Sequence, residues 1–432
     1  MHKRAITAAF IMSGLGASLG VGDSAATTTA SDDAKTQDLV VVDRAATAGL
    51  GAVSRSYSAT PVDYNRDGAQ DVWIGYHAQG GRLWRNEGNG TYRRVAASAW
   101  PQFDPAGKQI DRHDCAWADV DRNDRPDAYC STGRFAANHV KYGRDNELWM
   151  QGRRGRFTEV GTAWGVGDVC GRGRQVAFLN ANGDNYPDLF LGNETPRDVR
   201  DDPCNKPGND LPNERGKIFI NTGGTGFRYG KRFWDFGAGP GHRCAEVLDF
   251  NGDGWDDLLT CGADAETPRL YRNRAGRGFA DVSSAHRLDR PVNDAVVADL
   301  DGDRDRDLVI ATVRGFAYHL NTDGRFGAAV WIGFPSSGEG RSVAVGDADR
   351  DGDLDVYGMV GDGQQSNPDD VIWVNNRLSF TPASVPSAGG AADDVIALKP
   401  RGTGRAEFLA LNGFGRSDTP AGPVQLIRAI RR

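Results

Sequence analysis

The sequence predicts an all-β protein, a seven-bladed β-propeller with four-stranded blades. Two observations support this fold class: an Asp-rich loop between apolar strands recurs along the 432-residue chain, and each copy is followed by two further strand patterns. The composition agrees, because 57 glycines accompany Asp-rich turns and few helical runs. Four strands per repeat are the content of one propeller blade, so the copies are expected to close into a ring.

Each recurring loop carries Asp or Asn at its first, third and fifth positions and Asp at its ninth. The copies that keep all four residues are Asp63, Asn65, Asp67, Asp71; Asp119, Asp121, Asn123, Asp127; Asn180, Asn182, Asp184, Asp188; Asp249, Asn251, Asp253, Asp257; Asp299, Asp301, Asp303, Asp307; and Asp347, Asp349, Asp351, Asp355. With the carbonyl of the seventh residue, these oxygens suit Ca²⁺, which takes six to eight oxygen ligands at ~2.3–2.6 Å. Simple Asp/Asn/Gly turns are the alternative, but turn preference does not account for identical spacing in every copy. The sequence therefore predicts about six calcium sites.

The strands around each loop make it the turn of a β-hairpin. An EF-hand would need its last acid at position 12, between two helices. The sixth position needs a positive φ, which glycine permits at Gly68, Gly254 and Gly352. Asp124 and Asn185 stand at the same position and tolerate that conformation better than most residues.

A seventh copy of the loop has lost the ligand pattern. Its four ligand positions are held by Lys399, Arg401, Thr403 and Glu407. Two cations there would repel a metal ion, so we expect one blade without calcium.

The two ends of the chain are predicted to share the seventh blade. Residues 39–43 resemble the last strand of a blade, such as 279–282, and residues 424–427 resemble a third strand. Pairing the two ends would remove an exposed sheet edge and lock the ring.

The N-terminal residues are typical of an export signal. Lys3 and Arg4 precede an uncharged run of apolar and small residues, and small residues at 24–26 offer a cleavage site. A membrane anchor is the alternative, but the run is rich in Gly, Ala and Ser and an Ala-Thr-Ser segment follows it. We therefore predict a signal peptide at 1–26, a flexible linker at 27–37 and a propeller at 38–432. The mature protein is expected to be secreted and extracellular, with no membrane span.

Six cysteines agree with an oxidising compartment. Cys115 and Cys130 flank the second loop symmetrically, as Cys244 and Cys261 flank the fourth, so each pair is predicted to bridge across a hairpin. By elimination Cys170 pairs with Cys204. Free, buried cysteines are the alternative.

Polar residues stand six positions before the first ligand of each loop, at the face opposite the loops. The candidate ligand-binding residues there are His113, Arg174, Arg243, Arg341 and Asp393. Arginines suit carboxylate or sulfate groups. The alternative is a solvated rim in which Arg and Asp pair with one another. Nucleic-acid binding is not expected, since the net charge is −7 and there is no basic stretch.

The loops resemble the FG-GAP (VCBS-type) repeat, found in the integrin α-chain propeller and in many secreted proteins. Among its members the sequence looks most like the secreted, cartilage-acidic-protein-like group. The resemblance covers essentially all of residues 38–432 and is specific at the metal loops. It implies calcium-stabilised propellers used for adhesion or ligand binding, and it implies no reaction.

The sequence thus favours a non-enzymatic binding or adhesion module for an extracellular glycan or protein. The first alternative is a calcium-dependent, lyase-like enzyme acting on polysaccharides, since His113-Asp114 and His242-Arg243 could supply acid/base groups. The second alternative is a mainly structural surface protein. Fold alone does not decide among them.

Overall fold

The structure, a computed structural model, describes residues 39–77, 79–102, 110–133, 145–168, 173–193, 216–231, 242–262, 267–361, 367–413 and 420–431. All structural statements below concern these ranges. The predicted signal peptide and linker lie outside them, as do Cys170 and Cys204. The side chain of Arg243 also lies outside the described part.

Seven antiparallel sheets of four strands each form the protein, as predicted. Blade 1 contains β2 (Ser56–Val62), β3 (Asp71–Tyr76), β4 (Gln79–Asn86) and β5 (Tyr92–Arg94). Blade 2 contains β6 (Arg112–Ala118), β7 (Asp127–Thr132), β8 (Glu147–Gln151) and β9 (Phe157–Glu159). Blade 3 contains β10 (Gly173–Leu179), β11 (Asp188–Asn193), β12 (Gly216–Asn221) and β13 (Phe227–Tyr229). Blade 4 contains β14 (His242–Leu248), β15 (Asp257–Gly262), β16 (Arg269–Asn273) and β17 (Phe279–Asp281).

The remaining blades repeat the same order of strands. Blade 5 contains β18 (Asp294–Ala298), β19 (Asp307–Thr312), β20 (Gly315–His319) and β21 (Val330–Gly333). Blade 6 contains β22 (Glu339–Gly346), β23 (Asp355–Gly361), β24 (Asp370–Asn376) and β25 (Ser379–Val385). Blade 7 contains β26 (Asp394–Leu398), β27 (Glu407–Leu411), β28 (Gln425–Arg431) and β1 (Leu39–Asp43). The helical elements described are α1 (Ala45–Ala48) and two 3₁₀ turns, Arg153–Gly155 and Ser283–Ala285.

The first two strands of every blade form a hairpin with one register. In each hairpin, the residue before the first loop position pairs with the ninth, as in Val62↔Asp71 and Ala298↔Asp307. The seventh blade keeps this register at Leu398↔Glu407, although its loop has lost the ligand pattern. The apolar strands therefore set the hairpin geometry independently of the metal-loop sequence.

The innermost strands contact one another in cyclic order from β2 through β6, β10, β14, β18, β22 and β26 back to β2. Fully buried apolar side chains such as Val72, Leu189 and Leu308 fill the space between blades. Trp73 and Trp373 are also buried in this packing. This arrangement defines two faces: the loops between the first two strands lie on one, and the first strands begin on the other, here called the channel face.

The ring closes as predicted, because strand β1 pairs with β28 from Leu39↔Arg431 to Asp43↔Ile427. Asp43 reinforces the junction, since its Oδ1 accepts hydrogen bonds from the backbone N–H groups of Ala45 (2.8 Å) and Leu426 (3.1 Å). The seventh blade therefore combines both ends of the described chain, and β1 covers the edge of β28.

Two predicted disulfides are confirmed. Cys115–Cys130 and Cys244–Cys261 join residues directly opposite one another in their hairpins, with Cα atoms 4.1 and 4.9 Å apart. Among the described residues, no helix is long and apolar enough to cross a bilayer.

Candidate metal loops and channel face

All six acidic loops share one backbone conformation with two left-handed residues. The sixth position has positive φ throughout, including Asp124 at 64° and Asn185 at 63°, as predicted. The fourth position also has positive φ, which the sequence did not predict, because Arg66, Arg122 and Arg350 occupy it in three loops. A non-glycine residue holds this conformation only where the surrounding structure requires it. The loops are therefore built to a single shape.

That shape wraps each loop around the side-chain oxygens of its first residue. In the first loop, the backbone N–H groups of Asp67 and Gly68 donate to the two oxygens of Asp63, at 3.1 and 2.9 Å. In the fourth loop, Asp253 and Gly254 donate to Asp249 in the same way, at 3.0 and 2.7 Å. The side chains at positions one, three and five are consequently turned toward one another.

Three of the loops gather carboxylates closely enough to hold a metal ion. In each of the following groups, the ligand atoms lie within 4.8 Å of one another: Asp119, Asp121 and Asp127; Asp299, Asp301 and Asp303; and Asp347, Asp349 and Asp351. The donors are oxygens only, which is the chemistry of hard cations such as Ca²⁺ and Mg²⁺.

One buried oxygen in the second loop lacks a partner that a cation would supply. Asn123 stands at the fifth position, and its Oδ1 is buried without a hydrogen bond from the described residues. A buried polar atom left without a partner costs free energy. Its place beside the group of Asp119, Asp121 and Asp127 means that the residues present fit a bound cation.

The Asp at the ninth position has a structural role beyond the predicted ligand role. It is fully buried in all six loops, and both of its oxygens accept backbone N–H groups. In the fourth loop, Asp257 Oδ2 accepts from Phe250 at 3.3 Å and Oδ1 accepts from Asn273 at 2.7 Å. In the fifth loop, Leu300 and Asn321 donate to Asp307 in the same way, both at 2.8 Å. The ninth Asp therefore ties its loop to the third strand of the same blade.

In blades 2 to 6, an amide at the end of the third strand links the blade to the loop of the preceding blade. Asn273 Nδ2 donates to the carbonyl of Ala181 at 3.0 Å, and Asn221 Nδ2 donates to that of Val120, also at 3.0 Å. Gln151 Nε2 likewise donates to the carbonyl of Tyr64 at 2.9 Å. The sequence analysis missed this contact, although its signal is a recurring Asn at the end of the third strand.

Burial raises the pKa of the ninth-position carboxyls. The values reach about 7 for Asp71, Asp127, Asp188, Asp257 and Asp355, and about 6 for Asp307. Loss of hydration is the largest cause, since it penalises the charged form. In a metal-free loop these carboxyls therefore hold protons close to neutral pH.

The stabilising effect of calcium is expected to weaken as pH falls. Without metal, the folded state keeps these protons up to about pH 7, whereas an unfolded Asp releases them near pH ~4, so metal-free stability decreases as pH rises between the two values. Calcium requires the ionised carboxylates, so protons compete with it. The rise in melting temperature on adding Ca²⁺ should be larger at about pH 8 than at about pH 5.5. Thermal unfolding at matched ionic strength measures this, and an equal or larger rise at the acidic pH would contradict it.

In the loop of blade 7, guanidinium groups lie where the other loops could hold a metal ion. Glu407 at its ninth position is 2% exposed at the side chain and forms ion pairs with Arg44 (2.5 Å) and Arg428. Arg401 reaches across to the first loop and donates to the carbonyl of Asp67 at 2.9 Å. Positive charge for this carboxylate therefore comes from the two chain ends that close the ring.

On the channel face, the structure brings His113 and Arg174 together. Arg174 Nη1 contacts His113 Nδ1, and His113 is buried. Arg341 instead pairs with Glu339 on its own strand at 2.8 Å, and both side chains are partly exposed. The backbone of Asp393 is held by Leu411 at 3.0 Å.

Four carboxyls line the inner strands and join neighbouring blades. Asp114 accepts from Val176 N–H at 3.0 Å, and Asp294 accepts from Val343 N–H, also at 3.0 Å. The other two members are Glu246 and Asp394. Burial raises the pKa to about 7 for Asp114 and Asp294, about 8 for Glu246 and about 6 for Asp394. These acids serve contacts between blades, a role that the sequence analysis did not assign.

Seven four-stranded blades and six equivalent acidic loops define the class, a repeat propeller whose loops can hold metal ions. A family model described as an FG-GAP-like repeat matches residues 45–130, 249–310 and 299–358. The chain is an FG-GAP repeat propeller protein.

Two solved structures are similar to this one. A lectin from Agrocybe aegerita, described for its recognition of non-reducing terminal N-acetylglucosamine, has 16% identity over 77% of this chain and 80% of that chain, with a TM-score of 0.48. BBS1N, solved in complex with ARL6DN, has 10% identity over 88% of this chain and 93% of that chain, with a TM-score of 0.50. The latter likeness concerns the fold alone. No curated protein matches the sequence.

Proposed function

We propose that this protein is a secreted, calcium-stabilised propeller that binds an extracellular ligand on its channel face without catalysis. Secretion is supported by the N-terminal sequence and by the two disulfides, which persist in oxidising compartments. Calcium is supported by the oxygen-only loops and by the buried Asn123 oxygen. Adhesion or ligand binding is the use that the FG-GAP resemblance implies.

The difference in variability between the loops and the channel face supports placing the ligand on the channel face. The six loops are nearly identical in backbone shape and in hydrogen bonding, as expected of a shared frame. The starts of the inner strands differ from blade to blade: Tyr57, His113, Arg174, Asn293, Arg341 and Asp393 hold the equivalent position. Variation within a repeated frame is where a specific ligand surface belongs.

The partly exposed guanidinium of Arg341 favours an anionic ligand on this face. Arg341 is partly exposed, and its guanidinium already binds the carboxylate of Glu339. An incoming carboxylate or sulfate could take the same donors in a bidentate arrangement. We therefore assign an acidic glycan as the ligand, with an acidic protein surface as the alternative outcome of the test.

Binding of the calcium-loaded full chain to sulfated, uronate-containing and neutral glycans tests the proposal. We expect retention by the acidic glycans only, reduced about tenfold by Arg341→Gln, since a hydrogen bond to a charged group contributes ~1.5–3 kcal/mol. Arg85→Gln is the matched control, because Arg85 pairs with Glu87 two residues away at 2.5 Å but lies on an outer strand. Equal retention of neutral glycans, or equal losses in both variants, would contradict the proposal.

A polysaccharide-acting enzyme is the second candidate. The rings of Tyr57 and His77 lie 5.1 and 5.7 Å from that of His113, and Arg174 contacts the same histidine. Such groups can transfer protons beside a bound anion. Incubation of the acidic glycans with the protein, followed by measurement of new chain ends, separates turnover from binding.

A further inference from the structure

Two histidines and one aspartate meet on the channel face between blades 1 and 2. His77 follows strand β3, whereas Asp111 and His113 lie at the start of β6. Their ring nitrogens and carboxylate oxygens lie within 4.8 Å of one another. We propose that His77, Asp111 and His113 form a transition-metal site of the zinc class, separate from the oxygen-only loops of the opposite face.

The carboxylate of Asp111 stands between the two imidazoles. Its Oδ1 lies 3.5 Å from His77 Nδ1, and its Oδ2 lies 3.3 Å from His113 Nε2. The two rings are stacked, with centroids 5.7 Å apart. Two imidazoles and one carboxylate are a donor set that binds zinc in proteins, with metal–ligand distances of ~2.0–2.2 Å. A calcium site of the kind found in the loops would contain oxygens only.

Two groups face Nδ1 of His113: the Gly173 carbonyl, which would accept from Nδ1–H, and the Arg174 guanidinium, which can only donate and therefore favours the opposite tautomer. His113 Nδ1 lies 3.0 Å from the carbonyl oxygen of Gly173. If Nδ1–H donates to that carbonyl, the lone pair of Nε2 points toward Asp111, which is how metal-binding histidines are commonly oriented. Arg174 Nη1 also contacts Nδ1, and it lies 3.3 Å from the same carbonyl. A bound metal would select the arrangement in which Arg174 donates to Gly173.

Burial disfavours the protonated form of both imidazoles. Burial lowers the pKa of His77 to about 4, and burial together with Arg174 lowers that of His113. Neutral imidazoles bind metal without first losing a proton.

Gly133 keeps the centre of the cluster open. A Cβ at this position would lie 2.6 Å from Asp111 Oδ2 and closer still to His113 Nε2. The Gly133 N–H also donates to the carbonyl of Asp111 at 2.8 Å, which holds the backbone of this ligand in place. Any other residue would intrude on the atoms that face the proposed ion.

Three protein ligands leave a coordination position for water or for an anionic oxygen. Tyr57 lies beside this cluster, with its ring 5.1 Å from that of His113. The proposal concerns the ion alone, so it stands or falls independently of the ligand proposed above.

Cobalt(II) binding in excess calcium tests the site directly. Calcium saturates the oxygen-only loops, whereas Co²⁺ takes the ligands of zinc and reports nitrogen coordination by its visible absorption. We expect one equivalent of Co²⁺ with such a band, displaced by Zn²⁺. Absence of a bound equivalent in the full chain under these conditions would overturn the proposal.

Substitutions of the proposed ligands test whether these residues hold the metal ion. His77→Gln and Asp111→Asn should abolish the absorption band, and Gly133→Ala should weaken it, while all three keep the calcium-dependent melting temperature that shows correct folding. His77 is partly exposed, so its variant is the one best suited to retain the fold. His286→Gln is the control, because His286 packs against Phe250 and Phe326 instead. Retention of the band in His77→Gln, or its loss in His286→Gln, would refute the assignment.

Discussion

Removal of calcium is expected to lower the melting temperature of the propeller by more than about 10 °C. Three of the loops gather carboxylates within 4.8 Å of one another, and without a cation these groups repel one another or take up protons. A ligand that binds only the native state adds ~2.7 kcal/mol per site at a hundredfold excess over its dissociation constant. Six sites acting together therefore contribute more than most single interactions in the protein.

Thermal unfolding with Ca²⁺ and with a chelator, together with elemental analysis, measures this effect. The calcium-loaded chain should hold about six ions. Asp299→Asn combined with Asp301→Asn should remove one ion and part of the stabilisation, because it disables one loop only. An unchanged melting temperature and no bound metal would mean that the loops are only turns.

Replacement of Lys217 by methionine should destabilise the protein by about 3–5 kcal/mol. Lys217 Nζ lies 2.5 Å from Asp168 Oδ1, and neither side chain is exposed. Asn193 Nδ2 donates to the second oxygen of Asp168 at 3.1 Å. Without the lysine, the carboxylate would remain buried with no compensating charge from its present partner, which is the costly case for a buried ion pair.

Two further variants separate this cause from simple loss of a lysine. Lys399→Met is the control, since Lys399 is exposed and should change stability by less than about 0.5 kcal/mol. The double variant Lys217→Met, Asp168→Leu removes both charges and should recover much of the loss. Chemical denaturation measures all three, and a loss below about 1 kcal/mol for Lys217→Met would contradict the argument.

Local sequence signals were sufficient to predict the blades, the closure of the ring and two disulfides. The hairpin register follows from apolar strands on either side of a loop of constant length, and it holds even at Leu398↔Glu407, where the ligand pattern is lost. Cys115 and Cys130 are symmetric about such a loop, so the same register places them opposite one another. These features depend on neighbours along the chain, and sequence alone therefore predicts them.

Contacts between blades could not be predicted from the sequence in the same way. No structural role was predicted for Asp114 or Asp294, but the ring packs them against the next blade, where they accept backbone N–H groups. Likewise, Arg66 and Arg122 carry no glycine-like signal for the positive φ that they adopt. Here the surrounding structure overrides the residue's own preference.

The sequence by itself determined the repeat, the hairpin geometry and the places of the acidic loops, because each is a local pattern of side chains with a fixed period. Only the tertiary structure decided which distant groups meet: Lys217 with Asp168, Glu407 with Arg44 and Arg428, and His77 with Asp111 and His113. The physical reason is that packing between blades and the pairing of the two chain ends bring together groups that are distant in the sequence. The spacing of residues within one repeat therefore does not predict these contacts.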